Sequence, residues 1–266
     1  MQVGKRQRAK SKEPRMTLDP IHQFEIKNFF KIAQIGDHAI YFTNSSAYML
    51  LSVAVICLLT IRAMKGRQLV PGRFQAMAEL SYVFVASMIR STAGEEGMKF
   101  FPLVYSLFMF ILVSNVIGII PYTFTVSSHI IVTAAFALLV FFTVLIYGFY
   151  NNGLKFFRIF VPRGIPMYIL PLVVVIEIIS FLTRPLSHSV RLFANMLAGH
   201  ITLKVFAGFI ALLGTSLGAI GWIGGVAPLA LTVALTALEL LVAYLQAYVF
   251  AILTCIYLND ALHAGH

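Results

Sequence analysis

Charge is scarce in this chain. Of its 266 residues, 11% are Asp, Glu, Lys or Arg and 59% are hydrophobic, with a mean hydropathy of +0.88. Soluble domains carry about 25% charged and about 45–50% apolar residues, so a water-soluble globule is excluded and lipid is the solvent. Acids are scarcer than bases, and the formal net charge is +10. A nucleic-acid partner would require those cations on one surface. They lie instead in short hydrophilic gaps between apolar runs, which is a topology signal. The two cysteines, Cys57 and Cys255, sit in apolar runs away from any metal-ligand spacing and read as small hydrophobes. A Gly-rich phosphate loop, a nucleophile elbow and a Cys/His metal pattern are all missing, so no metal or cofactor is expected.

What is present is a set of long apolar runs. A hydrocarbon core about 30 Å thick takes roughly 20 helical residues. The first run, 44–61, ends at Arg62. Between Lys99 and Lys155 there is no charged residue, which leaves room for two spans, 101–120 and 130–150, broken at the polar stretch 121–129. From Tyr168 to Ile210 the chain stays apolar apart from Glu177, Arg184, Arg191 and Lys204. That is about twice the length an upright span needs, so this helix must tilt strongly or bend. A Gly-rich break at 214–225 is expected before the last span, 227–258. The segment from Arg73 to Arg90 carries Gln75 and Glu79 and reads as an amphipathic helix along the membrane interface. The alternatives for it are a sixth crossing or a buried packing helix. The fold class is therefore an all-α polytopic membrane protein with about five membrane-embedded helices, one of them long and tilted, plus one interfacial helix. Residues 1–43 form an N-terminal extramembrane segment and 44–266 a single membrane domain.

Basic residues fall in alternate gaps, Arg62, Lys65, Arg67 and Arg73 in one and Lys155, Arg158 and Arg163 in another, which marks those gaps as cytoplasmic. Five crossings then place the N-terminus outside and the C-terminus inside. The stretch Met1 to Arg15 conflicts with this, since its six Lys and Arg would have to be translocated. The preferred resolution is an upstream start-site artefact with translation from Met16; translation from Met1 is the other reading.

An ionisable side chain at bilayer depth costs several kcal/mol, so each is a functional candidate. Glu177, Arg184 and Arg191 follow at intervals of seven, drifting about 20° per step, and so form one stripe. Ser187 and Asn195, four residues either side of Arg191, extend it. Such a stripe should face a partner or a water-filled passage. Glu239 and Gln246, also seven apart, share a face of the last helix, and His200 and Lys204 share a face of the long one. From Arg191 to His200 the turn is about 180° on a straight helix, so those two address different neighbours. A carboxyl and an imidazole are plausible proton carriers in this setting. The blander readings are an interface anchor for Arg184, a snorkelling or paired Lys204, a packed His188, and a structural ion pair for Arg191 or Glu239.

The run from Ser187 to His200, SHSVRLFANMLAGH, closely resembles the signature of the a subunit of F-type ATP synthases. Glu239 with LQAYVFAILT from Leu245 to Thr254 resembles that family's last helix, and weaker similarity, including LVSNVIGIIPYT from Leu112 to Thr123, extends from about Pro20 onward. The resemblance implies that Arg191 is the family's essential arginine with Asn195 and Gln246 as polar neighbours. It implies that His200 and Glu239 serve the outer proton path, and Glu177 and Ser187 the cytoplasmic one. Many bacterial members carry the acid on the long helix and the histidine on the last. Here the two are exchanged, as in the mitochondrial branch. Also implied are a multi-pass protein of the bacterial inner membrane, a rotating ring of c subunits each bearing one mid-membrane carboxyl, peripheral-stalk b subunits, and the remainder of the complex, where the ATP chemistry takes place. A free-standing ion channel or secondary transporter would instead need a pore within this chain alone. A scaffold protein would tolerate neutral residues at Arg191 and Glu239.

Overall fold

The computed structural model describes residue 26 and residues 28–35, 38–65, 71–120, 123–161 and 166–262. The Met1 to Arg15 extension with the alternative start at Met16, and Arg67 and Arg163 of the basic gaps, lie outside the described residues.

Helices dominate because lipid offers the backbone no other partner, so each span must satisfy its own N–H and C=O groups. After two strands come α1 (Asn44–Met64), α2 (Arg73–Ala93), α3 (Phe101–Ile119), α4 (Ile130–Asn152), α5 (Leu170–Gly224) and α6 (Val226–Leu262). Short 3-10 turns precede α3 and α4 and follow α4. Among the described residues, five helical segments are long and apolar enough to cross a membrane, and α2 is not one of them. Thr43 caps α1 by accepting the backbone N–H of Ser46 at 3.3 Å. Pro102 and Pro171 stand in the first turns of α3 and α5, where the missing N–H costs nothing.

The membrane-length part of α5, 47 residues, is about 70 Å long and cannot stand upright in a core about 30 Å thick. It packs along α6, which also touches α2, α3 and α4 and is the centre of the bundle. Ala243, Ala247 and Ala251 recur every fourth residue on α6 and are fully buried. Their small side chains let neighbouring backbones approach closely, which is how helices associate where lipid removes the hydrophobic drive. Around them pack Val104, Phe108 and Ile111 of α3, Val140 and Val144 of α4, and Leu192 and Met196 of α5.

The Gly-rich break falls where it was expected, and two other features go beyond the sequence expectations. Helix α5 is interrupted at Gly218, inside 214–225, where a φ of 58° that suits a residue without Cβ sets a kink between two helical stretches. The segment read as an interface helix also packs: Val85, Met88 and Ile89 in the second half of α2 enter the core, while Phe74, Met77 and Leu80 stay exposed. Ahead of α1 stands an unexpected antiparallel hairpin, β1 (Asn28–Ile35) with β2 (His38–Thr43). The dipeptide between its strands in the sequence, Gly36-Asp37, is a combination that two-residue hairpin loops favour.

Candidate functional site

Helices α5 and α6 meet in an antiparallel seam, and three pairs of polar side chains mark its register. At one end the Arg184 guanidinium donates from Nη1 to Asp260 Oδ2 at 2.7 Å, with Glu177 Oε1 4.0 Å from Nη2. Its plane lies over the rings of Phe181 and Tyr257, at 5.5 and 5.1 Å. Arg184 thus ties the two helices together, and Glu177 belongs to its cluster. Midway, the Asn195 amide donates from Nδ2 to Gln246 Oε1 at 3.0 Å. At the far end His200 Nδ1 lies 3.2 Å from Glu239 Oε1.

This last pair is buried on both sides, His200 being 6% and Glu239 6% exposed. The ring and carboxyl are close enough for an ion pair but are not aligned for a hydrogen bond, and neither Glu239 oxygen has a hydrogen-bond partner. A buried carboxyl in that condition is either protonated or exchanging its proton with the imidazole beside it. Gly199 makes the approach of α6 feasible: a Cβ there would stand 2.8 Å from Glu239 Oε1.

Beyond His200 the polar groups continue into the segment between α3 and α4. His200 Nε2 lies 3.0 Å from Thr125 Oγ1, Ser127 donates to Asn115 Oδ1 at 2.6 Å, and Thr133 and Ser189 hydroxyls meet at 3.1 Å. The His129 ring stacks on Phe124 with centroids 4.8 Å apart, and desolvation holds its pKa below the ordinary histidine value. Reading the sequence missed Asp260, Thr125, Asn115 and Ser127. The signal for Asp260 was a lone acid at the end of the last span. The signal for the others was the density of hydroxyl and amide groups in an uncharged stretch.

Arg191 stands apart from the pairs at the two ends of the seam. It lies about 10 Å along the helix from Arg184 and about 13.5 Å from His200. Its side chain is exposed, as are those of Ser187 and Asn195 one turn to either side. Among the described residues it forms no ion pair. Leu186, Val190, Leu241 and Leu245 are exposed too, so the guanidinium sits in an open apolar face shared by α5 and α6. His188 points the other way, buried with its ring 3.8 Å from Phe250, and is a packing residue with an unpaired Nε2. Lys204 is half-buried, one turn beyond His200.

Residues 46–259 match the family model described as ATP synthase A chain. The chain is 74% identical over 251 residues to the ATP synthase subunit a of Bradyrhizobium diazoefficiens, covering 94% of this chain and 100% of that one. Identity to the subunit of the same name from Rhodopseudomonas palustris strain TIE-1 is 72% over 251 residues, with the same coverage. For that from Nitrobacter winogradskyi it is 70% over 249 residues, covering 94% of this chain and 100% of the relative.

Proposed function

The chain belongs to the ATP synthase A chain family, the proton-translocating a subunits of F-type ATP synthases, and from that premise we propose how its polar groups move protons. It is a multi-pass protein of the bacterial inner membrane and works with the rest of that complex. The observation that carries the mechanism is the place of Arg191, on an open face between a half-buried polar cluster at one end of the helical seam and a buried one at the other.

Protons from outside reach His200 and Glu239 through the segment between α3 and α4, pass the Asn195–Gln246 pair, and neutralise a carboxylate on a rotating ring of c subunits docked on the open face. After nearly a full turn they leave on the cytoplasmic side past Ser187 and Glu177. Arg191 faces the ring between the two half-channels. Its guanidinium attracts each ionised carboxylate but cannot release a proton, so it lets the ring pass while keeping the paths apart. Each charge crossing the membrane gains about 2.3 kcal/mol per 100 mV, so several protons are needed per ATP, whose synthesis takes place in other subunits. The basic gaps after α1 and α4 favour an N-terminus outside and a C-terminus inside, and the peripheral-stalk b subunits hold this chain against the ring's torque.

Purification of the tagged chain from membranes in mild detergent, with identification of everything recovered, tests this reading. Small hairpin subunits with one mid-span carboxyl and a stalk subunit are the expected companions. A chain recovered alone that conducts protons in lipid vesicles would instead make it a free-standing channel. Within the seam, Gly199→Ala is expected to lower ATP-driven proton pumping about tenfold in an assembled complex, because the new methyl would lie 2.8 Å from Glu239 Oε1 and push the carboxyl off the imidazole. Wild-type pumping by that variant would show that the spacing of the pair is of no consequence.

A further inference from the structure

We propose that Thr125 is a positioning residue for the His200–Glu239 pair, holding the imidazole in the tautomer that leaves Nδ1 free to take and return the Glu239 proton. The proposal rests on the reading of that pair as a proton relay. Thr125 is fully buried, and its hydroxyl has two neighbours, the Gly118 carbonyl at 3.4 Å and His200 Nε2 at 3.0 Å. The 3.0 Å contact itself fits either tautomer; the proposal assigns the hydroxyl proton to the Gly118 carbonyl, which only accepts, and so leaves the oxygen lone pair for Nε2–H. A neutral imidazole carries one N–H, and with it on Nε2 the ring leaves Nδ1 unprotonated 3.2 Å from Glu239 Oε1, a contact that must turn into line before a proton crosses it. In one direction the O–H bond of Glu239 breaks as N–H forms on Nδ1, giving imidazolium and carboxylate. In the other the same bond is remade, and the Nε2–H tautomer returns to Thr125. With the opposite tautomer Nδ1 would already hold a proton and accept none.

Gly118 makes the contact feasible, since a Cβ there would stand 2.8 Å from Thr125 Cγ2. The groups that face or flank His200 are Glu239 from α6, Lys204 on its own helix, and Thr125 from the segment that ends at His129.

The test is ATP-driven proton pumping by the intact complex in inverted vesicles, followed across pH for Thr125→Val, Thr125→Ser and Glu239→Gln. Val keeps the shape and removes the hydroxyl. It is expected to lower pumping about tenfold and move the pH profile, with Ser restoring most of the rate. A Val variant with the wild-type rate and profile beside a silent Glu239→Gln overturns the role of Thr125 and leaves the relay standing. Equal loss in Val and Ser also overturns it, since packing and not the hydroxyl would then matter. Wild-type pumping by Glu239→Gln removes the relay itself. If the Val variant does not assemble, Thr125→Cys, whose thiol is a poor hydrogen-bonding group, is read in the same way.

Discussion

Arg191→Ala is expected to abolish ATP synthesis and to leave the membrane passively leaky to protons. A fixed positive charge in the middle of an apolar helix costs about 2.5–3.5 kcal/mol to insert, and it persists only where a negative partner or water meets it. Neither acid at depth on this chain serves. Glu177 lies fourteen residues away, about 21 Å along the helix, and is drawn to Arg184. Glu239 is buried against His200 on another face. The partner is therefore best supplied from outside the chain, by the ring carboxylate that the mechanism requires. With Ala in place, nothing holds that carboxylate at the boundary or blocks a proton from crossing it. Lys should rescue only in part, because its compact ammonium shifts its pKa when desolvated and lacks the planar fork that engages one carboxylate while releasing another. Proton flux into vesicles carrying the assembled membrane sector, variant against wild type, decides the matter. An Arg191→Ala complex that still makes ATP from a proton gradient would refute the mechanism.

The spans were legible because lipid imposes a simple rule on them. The uncharged interval from Lys99 to Lys155, interrupted only by the polar stretch 121–129, yields α3 and α4 within two residues of their bounds. The glycines around 218 were legible as a break because only a residue without Cβ takes the positive φ found there. The hairpin was missed because a search for apolar length has nothing to say about strands. Within one helix, spacing placed Arg191 with Ser187 and Asn195, and Glu239 with Gln246. Which residue meets which across the seam, 184 with 260 and 195 with 246, depends on how α5 and α6 slide and rotate against each other. No periodicity within a single helix carries that information. For His200 and Glu239 the pairing came from family resemblance. The contact of Thr125 with His200 joins residues 75 positions apart and had no local signature.

Glu239→Gln is the second large effect expected: assembly should survive while ATP-driven proton pumping falls to background. The substitution keeps the length and branching of the side chain, so the space that Gly199 leaves on α5 still receives it and the seam should close as before. What disappears is the one group there that can release a proton to an imidazole and take it back. An amide neither ionises near neutral pH nor passes a proton on that timescale. The His200 ring would still be held by Thr125 at 3.0 Å but would have nothing to exchange with. Glu239→Asp separates chemistry from reach: the carboxyl is retained one methylene short of Nδ1, and an intermediate rate is expected, with the gap bridged by water at best. The measurement is fluorescence quenching of a pH-sensitive dye in inverted vesicles, with complex content checked by native gel. Wild-type quenching by Glu239→Gln would make the buried acid a structural partner of His200 and send the outer proton path elsewhere. Loss in both Gln and Asp together with loss of the complex would show that the pair holds α5 to α6 and would leave its chemistry to be tested through His200.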